Sequence, residues 1–194
     1  MIIDNTNVSR GEYEALIKYQ SLLLKCNKSI NLISKASENN LWKRHIDDSL
    51  QLLKYIDPIK TVVDIGSGAG LPGIILSIGG VKNITLIESD TRKAVFLRQA
   101  SKLSLNKINI IEERLDENFK GNYDILTCRG FSNISNILQL TSRLKIGKML
   151  LLKGKNYDQE ITQAKKHWLF NFSLHDSITG DGKIVEISNI IRLL

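Results

Sequence analysis

The sequence predicts an α/β protein: a doubly wound, mainly parallel sheet with an antiparallel hairpin at its C-terminal edge, preceded by N-terminal helices. Three observations lead there. From Thr61 onward, short apolar runs alternate with segments of helical spacing, the pattern that builds a parallel sheet through right-handed crossovers. The first run, Thr61-Val62-Val63, opens into a glycine-rich turn, Asp64-Ile65-Gly66-Ser67-Gly68-Ala69-Gly70-Leu71-Pro72-Gly73, and a second run, Ile74-Ile75-Leu76, follows at once. The last two runs, near 172–178 and 184–193, have no helical pattern between them.

Taken in order, Ser9 and Glu12 form a capping box and Val8 with Tyr13 a hydrophobic staple, so a helix starts there and carries Tyr13, Leu16, Ile17, Leu23 and Leu24. A second helix after Asn40 carries Leu41, Trp42, Ile46, Leu50, Leu53 and Ile56 until Asp57-Pro58 stops it. Residues 1–58 thus read as a helical extension and 59–194 as the ligand-binding unit, in one compact domain overall. Within the latter the expected elements are strand 61–65, helix 72–79 ended by Gly79-Gly80, strand 84–88, helix 91–104 capped by Asp90, and strand 108–112. A short helical segment near 116–119, strand 123–128, helix 133–144, strand 148–153, helix 157–170 and the two final strands complete the series.

A chain of 194 residues with 42% hydrophobic content supports one α/β domain with a small appendage and is too short for two. Cys26 and Cys128 have no metal or redox spacing, and neither a secretory leader nor an apolar stretch of membrane length is present, so a cytoplasmic, reduced protein without metal is expected. The net charge of +7 is concentrated at the end: residues 128–194 hold ten Lys/Arg against five Asp/Glu. No acid lies between Asp124 and Asp158, whereas Arg129, Arg143, Lys145, Lys148, Lys153 and Lys155 do. A one-sign stretch of this kind attracts a polyanion, RNA or DNA.

The glycine turn identifies a nucleotide-type ligand. Gly66, Gly68 and Gly70 let the backbone approach it closely, and two cofactors compete. Gly68-Ala-Gly70-Leu-Pro-Gly73 fits the dinucleotide pattern, which would make the protein an NAD-dependent oxidoreductase. Asp64, two residues before the first glycine, sits badly beside a pyrophosphate and suits a cationic ligand, S-adenosylmethionine, as in the first motif of class I methyltransferases with their Rossmann-like fold. Glu88 ends the next strand about 20 residues after the turn, the spacing of a ribose-binding carboxylate, with Asp90 a competitor. Residues after the other strands complete the rim: Leu115-Asp116, Arg129 and Lys153. Leu71 and Leu115 offer apolar walls to an adenine, and Asp116 is placed equally well for its amino group or for a helix N-terminus.

Together with the turn, the segments Asn27-Lys28-Ser29-Ile30-Asn31-Leu32, Arg44-His45-Ile46-Asp47-Asp48-Ser49-Leu50, Cys128-Arg129-Gly130 and Leu152-Lys153-Gly154 resemble the GidB (RsmG) family over nearly the whole chain. The resemblance implies an enzyme that methylates N7 of one guanine in 16S rRNA from S-adenosylmethionine, acting as a monomer on the small ribosomal subunit. It also implies that Gly66, Leu71, Leu115, Asp116 and Arg129 contact the cofactor.

The remaining chemistry agrees with this. An Asn/Asp-Pro-Pro-aromatic loop for adenine amines is missing, since Pro58 and Pro72 are the two prolines. Cytosine C5 methylation would need a thiolate, for which Cys128 is the candidate, although a small cysteine at a strand end more often packs as a hydrophobe. Guanine N7 carries a lone pair and loses no proton, so no base is required. Because an Arg or Lys on O6 and N7 would block the nucleophile, Arg129 and Lys153 suit phosphate positioning. His45 reads as part of a polar network anchoring the first helices. A non-enzymatic RNA-binding assembly factor is the other alternative.

Overall fold

In the computed structural model of the chain, residues 2, 3, 6–180 and 182–193 are described. Residues 1, 4, 5, 181 and 194, which the expected units 1–58 and 59–194 include, lie outside them. Two short strands, β1 (Ile2–Ile3) and β2 (Thr6–Asn7), pair antiparallel before the first helix. They are too short for a periodic pattern to announce them.

Helix α1 (Arg10–Asn27) starts where the capping box places it: the Glu12 N–H donates to Ser9 Oγ at 3.3 Å, and the Ser9 N–H donates to the Glu12 carboxylate at 2.6 Å. Leu16, Tyr19 and Leu23 form its buried stripe. An unexpected single turn, α2 (Lys35–Glu38), is held by Asn27, whose side chain accepts the N–H groups of Leu32 and Ile33 at 2.9 Å each and donates to Glu38 at 2.6 Å.

The second expected helix is present as α3, residues 42–55, but its pitch changes along its length. It runs as a π turn over Trp42–Asp47, an α turn over Asp48–Leu50 and a 3-10 turn over Gln51–Tyr55. Side chains engage the carbonyls of its wide turn: Ser49 Oγ donates to His45 O at 2.7 Å, and Arg129 donates to Arg44 O at 2.8 Å.

The main sheet is formed by β3 (Thr61–Ile65), β4 (Asn83–Glu88), β5 (Ile108–Glu112), β6 (Gly121–Arg129), β7 (Leu144–Lys153), β8 (Trp168–Asp176) and β9 (Lys183–Arg192). Its order is β5-β4-β3-β6-β7-β9-β8. The first five are mutually parallel, and β9 runs antiparallel to both of its neighbours, the predicted arrangement. Helices α4 (Gly73–Ile78), α5 (Thr91–Ala100), α6 (Ile134–Leu140) and α7 (Tyr157–Ala164) cover it.

Alternate strand residues divide between two cores. Val62, Ile84, Leu86, Ile125 and Leu150 pack with α1, α3, α4 and α5 on one face. Val63, Ile65, Ile87, Leu126 and Leu151 pack with α6 and α7 on the other. Asp90 caps α5 as expected, its Oδ1 accepting from Arg92 N–H at 2.9 Å and Lys93 N–H at 3.3 Å.

Several elements differ from the sequence reading. No helix forms at 116–119, where Asp116 Oδ1 accepts the Asn118 N–H at 2.7 Å and stabilises a turn instead. Helix α6 ends at Leu140 and β7 begins at Leu144, earlier than 148. Helix α7 stops at Ala164, because Trp168 and Phe170 are both buried at a spacing of two residues and extend β8 in place of the helix expected to 170.

Candidate active site

Crossovers leave β3 on one side toward β4 and β5, while β6 and β7 lie on the other, so the sheet switches direction between β3 and β6. Ligands of doubly wound sheets lie beyond the carboxyl ends of the strands at such a point. The glycine turn occupies it. Ser67 N–H donates to Ile87 O of the neighbouring strand at 3.1 Å and Ser67 Oγ to Asp64 O at 2.9 Å, which pins the turn to the sheet. Gly66 and Gly68 have φ of +62° and +53°, a region that L side chains rarely adopt. A Cβ on Gly66 would also lie 2.2 Å from the ring of Phe131.

A cavity of about 660 Å³ opens beside the turn, lined by Gly66 and Gly68 after β3, Glu88 and Ser89 after β4, Leu115 after β5, and Gly130, Phe131 and Ser132 after β6. Glu88 is its buried acid: one carboxylate oxygen accepts the Gly68 N–H at 2.8 Å and the other the Asp90 N–H at 2.8 Å. That fixes its direction and leaves lone pairs for a ligand hydroxyl.

A second cavity, about 570 Å³, lies beyond the ends of β6 and β7 and is lined by Arg44, His45, Asp48, Arg129, Lys153, Lys155 and Lys183 among others. Gly130 lines both cavities. The two spaces therefore adjoin across a residue without a side chain.

The model of a family described as rRNA small subunit methyltransferase G matches residues 12–184, most of the chain. Proteins named ribosomal RNA small subunit methyltransferase G from Rickettsia rickettsii (strain Sheila Smith) and Rickettsia prowazekii (strain Madrid E) are each 50% identical to it. The first match covers 96% of this chain and 99% of the relative, the second 93% and 96%. The chain belongs to this methyltransferase G family.

Solved structures at low identity show the fold of the family member. A magnesium protoporphyrin IX methyltransferase from Synechocystis PCC 6803 superposes with a TM-score of 0.60 at 12% identity, over 87% of this chain and 98% of that one. A ribosomal protein L11 methylase from Lactobacillus delbrueckii subsp. bulgaricus gives 0.58 at 17% identity, over 73% and 76%. The fold is that of the class I S-adenosylmethionine-dependent methyltransferases.

Other residues singled out from the sequence, Asp64, Gly70, Leu71, Asp116 and Cys128, do not line these cavities. Asp64 is fully buried, accepting the Gly73 N–H at 3.3 Å and the Thr127 hydroxyl at 3.1 Å. Burial pushes its carboxyl up to about 7, against these hydrogen bonds and the charge of Arg129. Gly70 and Leu71 are packing positions: a Cβ on Gly70 would lie 2.3 Å from Ile74, and Leu71 is in the core. Asp116 sits in its turn beside Leu115, without lining the cavity. Cys128 is buried in the second core, and burial pushes its thiol up to about 12.

Arg129 and Lys153 both carry internal partners. Arg129 reaches Asp48 at 3.3 Å as well as Arg44 O, and Lys153 lies 2.6 Å from Glu160 while donating to Ser132 O. The Arg44-to-Ser49 segment does join a polar network, but through Asp48 and backbone carbonyls: Asp48 Oδ1 accepts from Thr179 Oγ1 at 2.6 Å and Gln51 Nε2 at 2.9 Å. The buried His45 ring makes no side-chain hydrogen bond to this network, and burial with the charges of Arg129 and Arg44 lowers its pKa to about 4 against a backbone hydrogen bond at Arg44. Sequence reasoning missed Phe131, Ser177 and Thr179. Phe131 directly follows Arg129-Gly130 and was within reach of the strand-end rule, whereas Ser177 and Thr179 reach Asp48 only through the hairpin's tertiary position.

Proposed function

We propose that this chain transfers the methyl group of S-adenosylmethionine to N7 of a guanine in 16S rRNA of the small ribosomal subunit. One observation carries the reading: a cavity ringed by the glycine turn and Glu88 adjoins a cation-lined cavity at Gly130, in a methyltransferase G family member. The first cavity suits the donor. Backbone at Gly66 and Gly68 is approachable, Glu88 offers acceptors to ribose hydroxyls, and Leu115 and Leu140 supply apolar surface. The second suits an RNA nucleotide, because Arg44, Arg129, Lys153, Lys155 and Lys183 face Asp48 alone among the described carboxylates lining it.

S-adenosylmethionine supplies an electrophilic methyl on a positively charged sulfur. The N7 lone pair forms the new N–CH₃ bond as the S–CH₃ bond breaks, and positive charge passes from sulfur to the purine. No proton leaves N7, so no base is needed, and the chain's task is to align the reactants and exclude water. Arg129, fixed by Asp48 and the Arg44 carbonyl, keeps unused guanidinium donors for an RNA phosphate or the donor's carboxylate. Lys153 holds Glu160, which in turn accepts the Ile134 N–H at 3.0 Å at the start of α6, and so fixes the wall around Ser132. A cytosine C5 route would need Cys128 as thiolate, and its thiol is held far above neutral pH.

The test is methyl transfer from tritiated S-adenosylmethionine to unmethylated 16S rRNA, supplied as naked RNA and within small subunits, with the product nucleoside separated chromatographically. Label in 7-methylguanosine is expected. Label confined to cytidine or adenosine, or tight RNA binding without affinity for the donor, contradicts the proposal.

A further inference from the structure

The cations lining the cavity beyond β6 and β7 divide by what they already hold. Arg129 reaches Asp48 at 3.3 Å, Lys153 lies 2.6 Å from Glu160, and Lys183 pairs with Asp176. These three are partly buried. Arg44 and Lys155 are exposed, and among the described residues no carboxylate pairs with either. A cation beside a carboxylate presents a dipole to a distant anion, whereas a free one presents its whole charge. The two free cations are therefore the ones available to a polyanion arriving from solvent.

Local structure fixes where they stand. Arg44 lies on the π turn of α3, and its carbonyl accepts from Arg129 at 2.8 Å, so the backbone from which its side chain leaves is tied to the end of β6. Lys155 comes two residues after Lys153, the last residue of β7. Between these lysines the main chain is bare. A Cβ built on Gly154 would meet no atom within 4 Å, and this residue has no positive φ, so neither packing nor conformation asks for glycine there. What glycine provides at that point is close approach of a ligand to the backbone beside Lys155.

We propose that Arg44 and Lys155 hold phosphates of the RNA strand at this cavity, beside the bare backbone of Gly154, while Lys153 and Lys183 are engaged in building its wall. This inference rests on the RNA reading above and differs from the expectation that Lys153 positions phosphate. Contacts of this kind set the position of the strand without reading its bases.

The experiment measures binding of the whole chain to unmethylated 16S rRNA, naked and within small subunits, as a function of salt. On single strands each phosphate contact contributes about 0.7 to the slope of log K against log salt concentration. Arg44→Ala and Lys155→Ala should each lower the magnitude of the slope by about that amount and raise KM for RNA about ten-fold, with affinity for S-adenosylmethionine kept within about two-fold. Arg44→Lys and Lys155→Arg, which keep the charge, should restore most of the slope. Gly154→Ala disturbs no packing, so its denaturation midpoint should match wild type while KM for RNA rises. Lys82→Ala tests for an effect of net charge alone: Lys82 is exposed directly before β4, at the opposite end of the parallel strands, and its removal should leave the slope unchanged.

A wild-type slope in Arg44→Ala or in Lys155→Ala overturns the role of that residue, and an equal loss of slope in Lys82→Ala overturns both. An unchanged KM in Gly154→Ala overturns the close approach at the backbone. Slopes as expected, with label outside 7-methylguanosine, support the phosphate contacts and overturn the guanine reading. Absence of wild-type binding to either form of the RNA overturns the two together.

Discussion

The phenol of Tyr19 donates a hydrogen bond to the carbonyl of Ala69 at 2.7 Å, entirely within the core. One partner lies mid-way along α1 and the other in the glycine turn, 50 residues apart. The N-terminal helix thereby braces the glycine turn, whose Gly66 and Gly68 line the cavity, and burial raises the phenol's pKa so that it remains a donor. Tyr19→Phe leaves the Ala69 carbonyl unsatisfied and should cost about 1–3 kcal/mol of stability. Chemical denaturation measures that loss, and calorimetry should show weaker binding of S-adenosylmethionine. Unchanged stability and affinity would disconnect the helix from the turn.

Gly66→Ala combines a positive φ with a Cβ placed against Phe131. Affinity for S-adenosylmethionine should fall by about ten-fold or more, since the turn must shift to make room. Adding Phe131→Ala removes the collision but not the backbone strain, so it should recover part of the loss. A double variant no better than Gly66→Ala would place the fault elsewhere.

Glu88→Ala deletes the acceptor of two backbone N–H groups as well as the proposed ribose contact. Donor affinity should drop on the order of ten- to a hundred-fold, as removal of a charged acceptor implies. Glu88→Gln, which keeps one oxygen, should fall between this and wild type. Isothermal titration of both variants at equal protein stability checks the ordering.

Asp64 makes stability depend on pH in a defined direction. Its carboxyl titrates at about 7 in the fold and near 3.8 when unfolded, so the folded state holds a proton that the unfolded chain releases. The stabilisation is complete below about pH 4 and is lost as pH rises through 7. Carbon-13 chemical shifts of the Asp64 carboxyl should titrate near 7, and Asp64→Asn should flatten the slope of stability between those limits. A midpoint near 4 would contradict the assigned burial.

The sheet and its order of elements were legible because alternate burial on two faces writes itself into β3, β4, β6 and β7 as continuous apolar runs. Caps were legible for a local reason: Ser9 with Glu12, and Asp90 with its own next turn, act within three residues. The pitch changes of α3 were hidden, since they depend on Arg129, 85 residues downstream, taking the Arg44 carbonyl. The site divided along the same line. Glu88 and the glycines follow from spacing along the chain, whereas the network on Asp48 depends on Thr179, 131 residues downstream, and on Arg129.

Gly130 belongs to both cavities, so whatever occupies one changes the boundary of the other. Thermodynamic linkage then requires reciprocity: if bound RNA strengthens donor binding by some factor, bound donor strengthens RNA binding by the same factor. On the proposed reading, loss of a single methyl group at that boundary would alter both equilibria together and would give the spent donor and the modified RNA a common reason to leave.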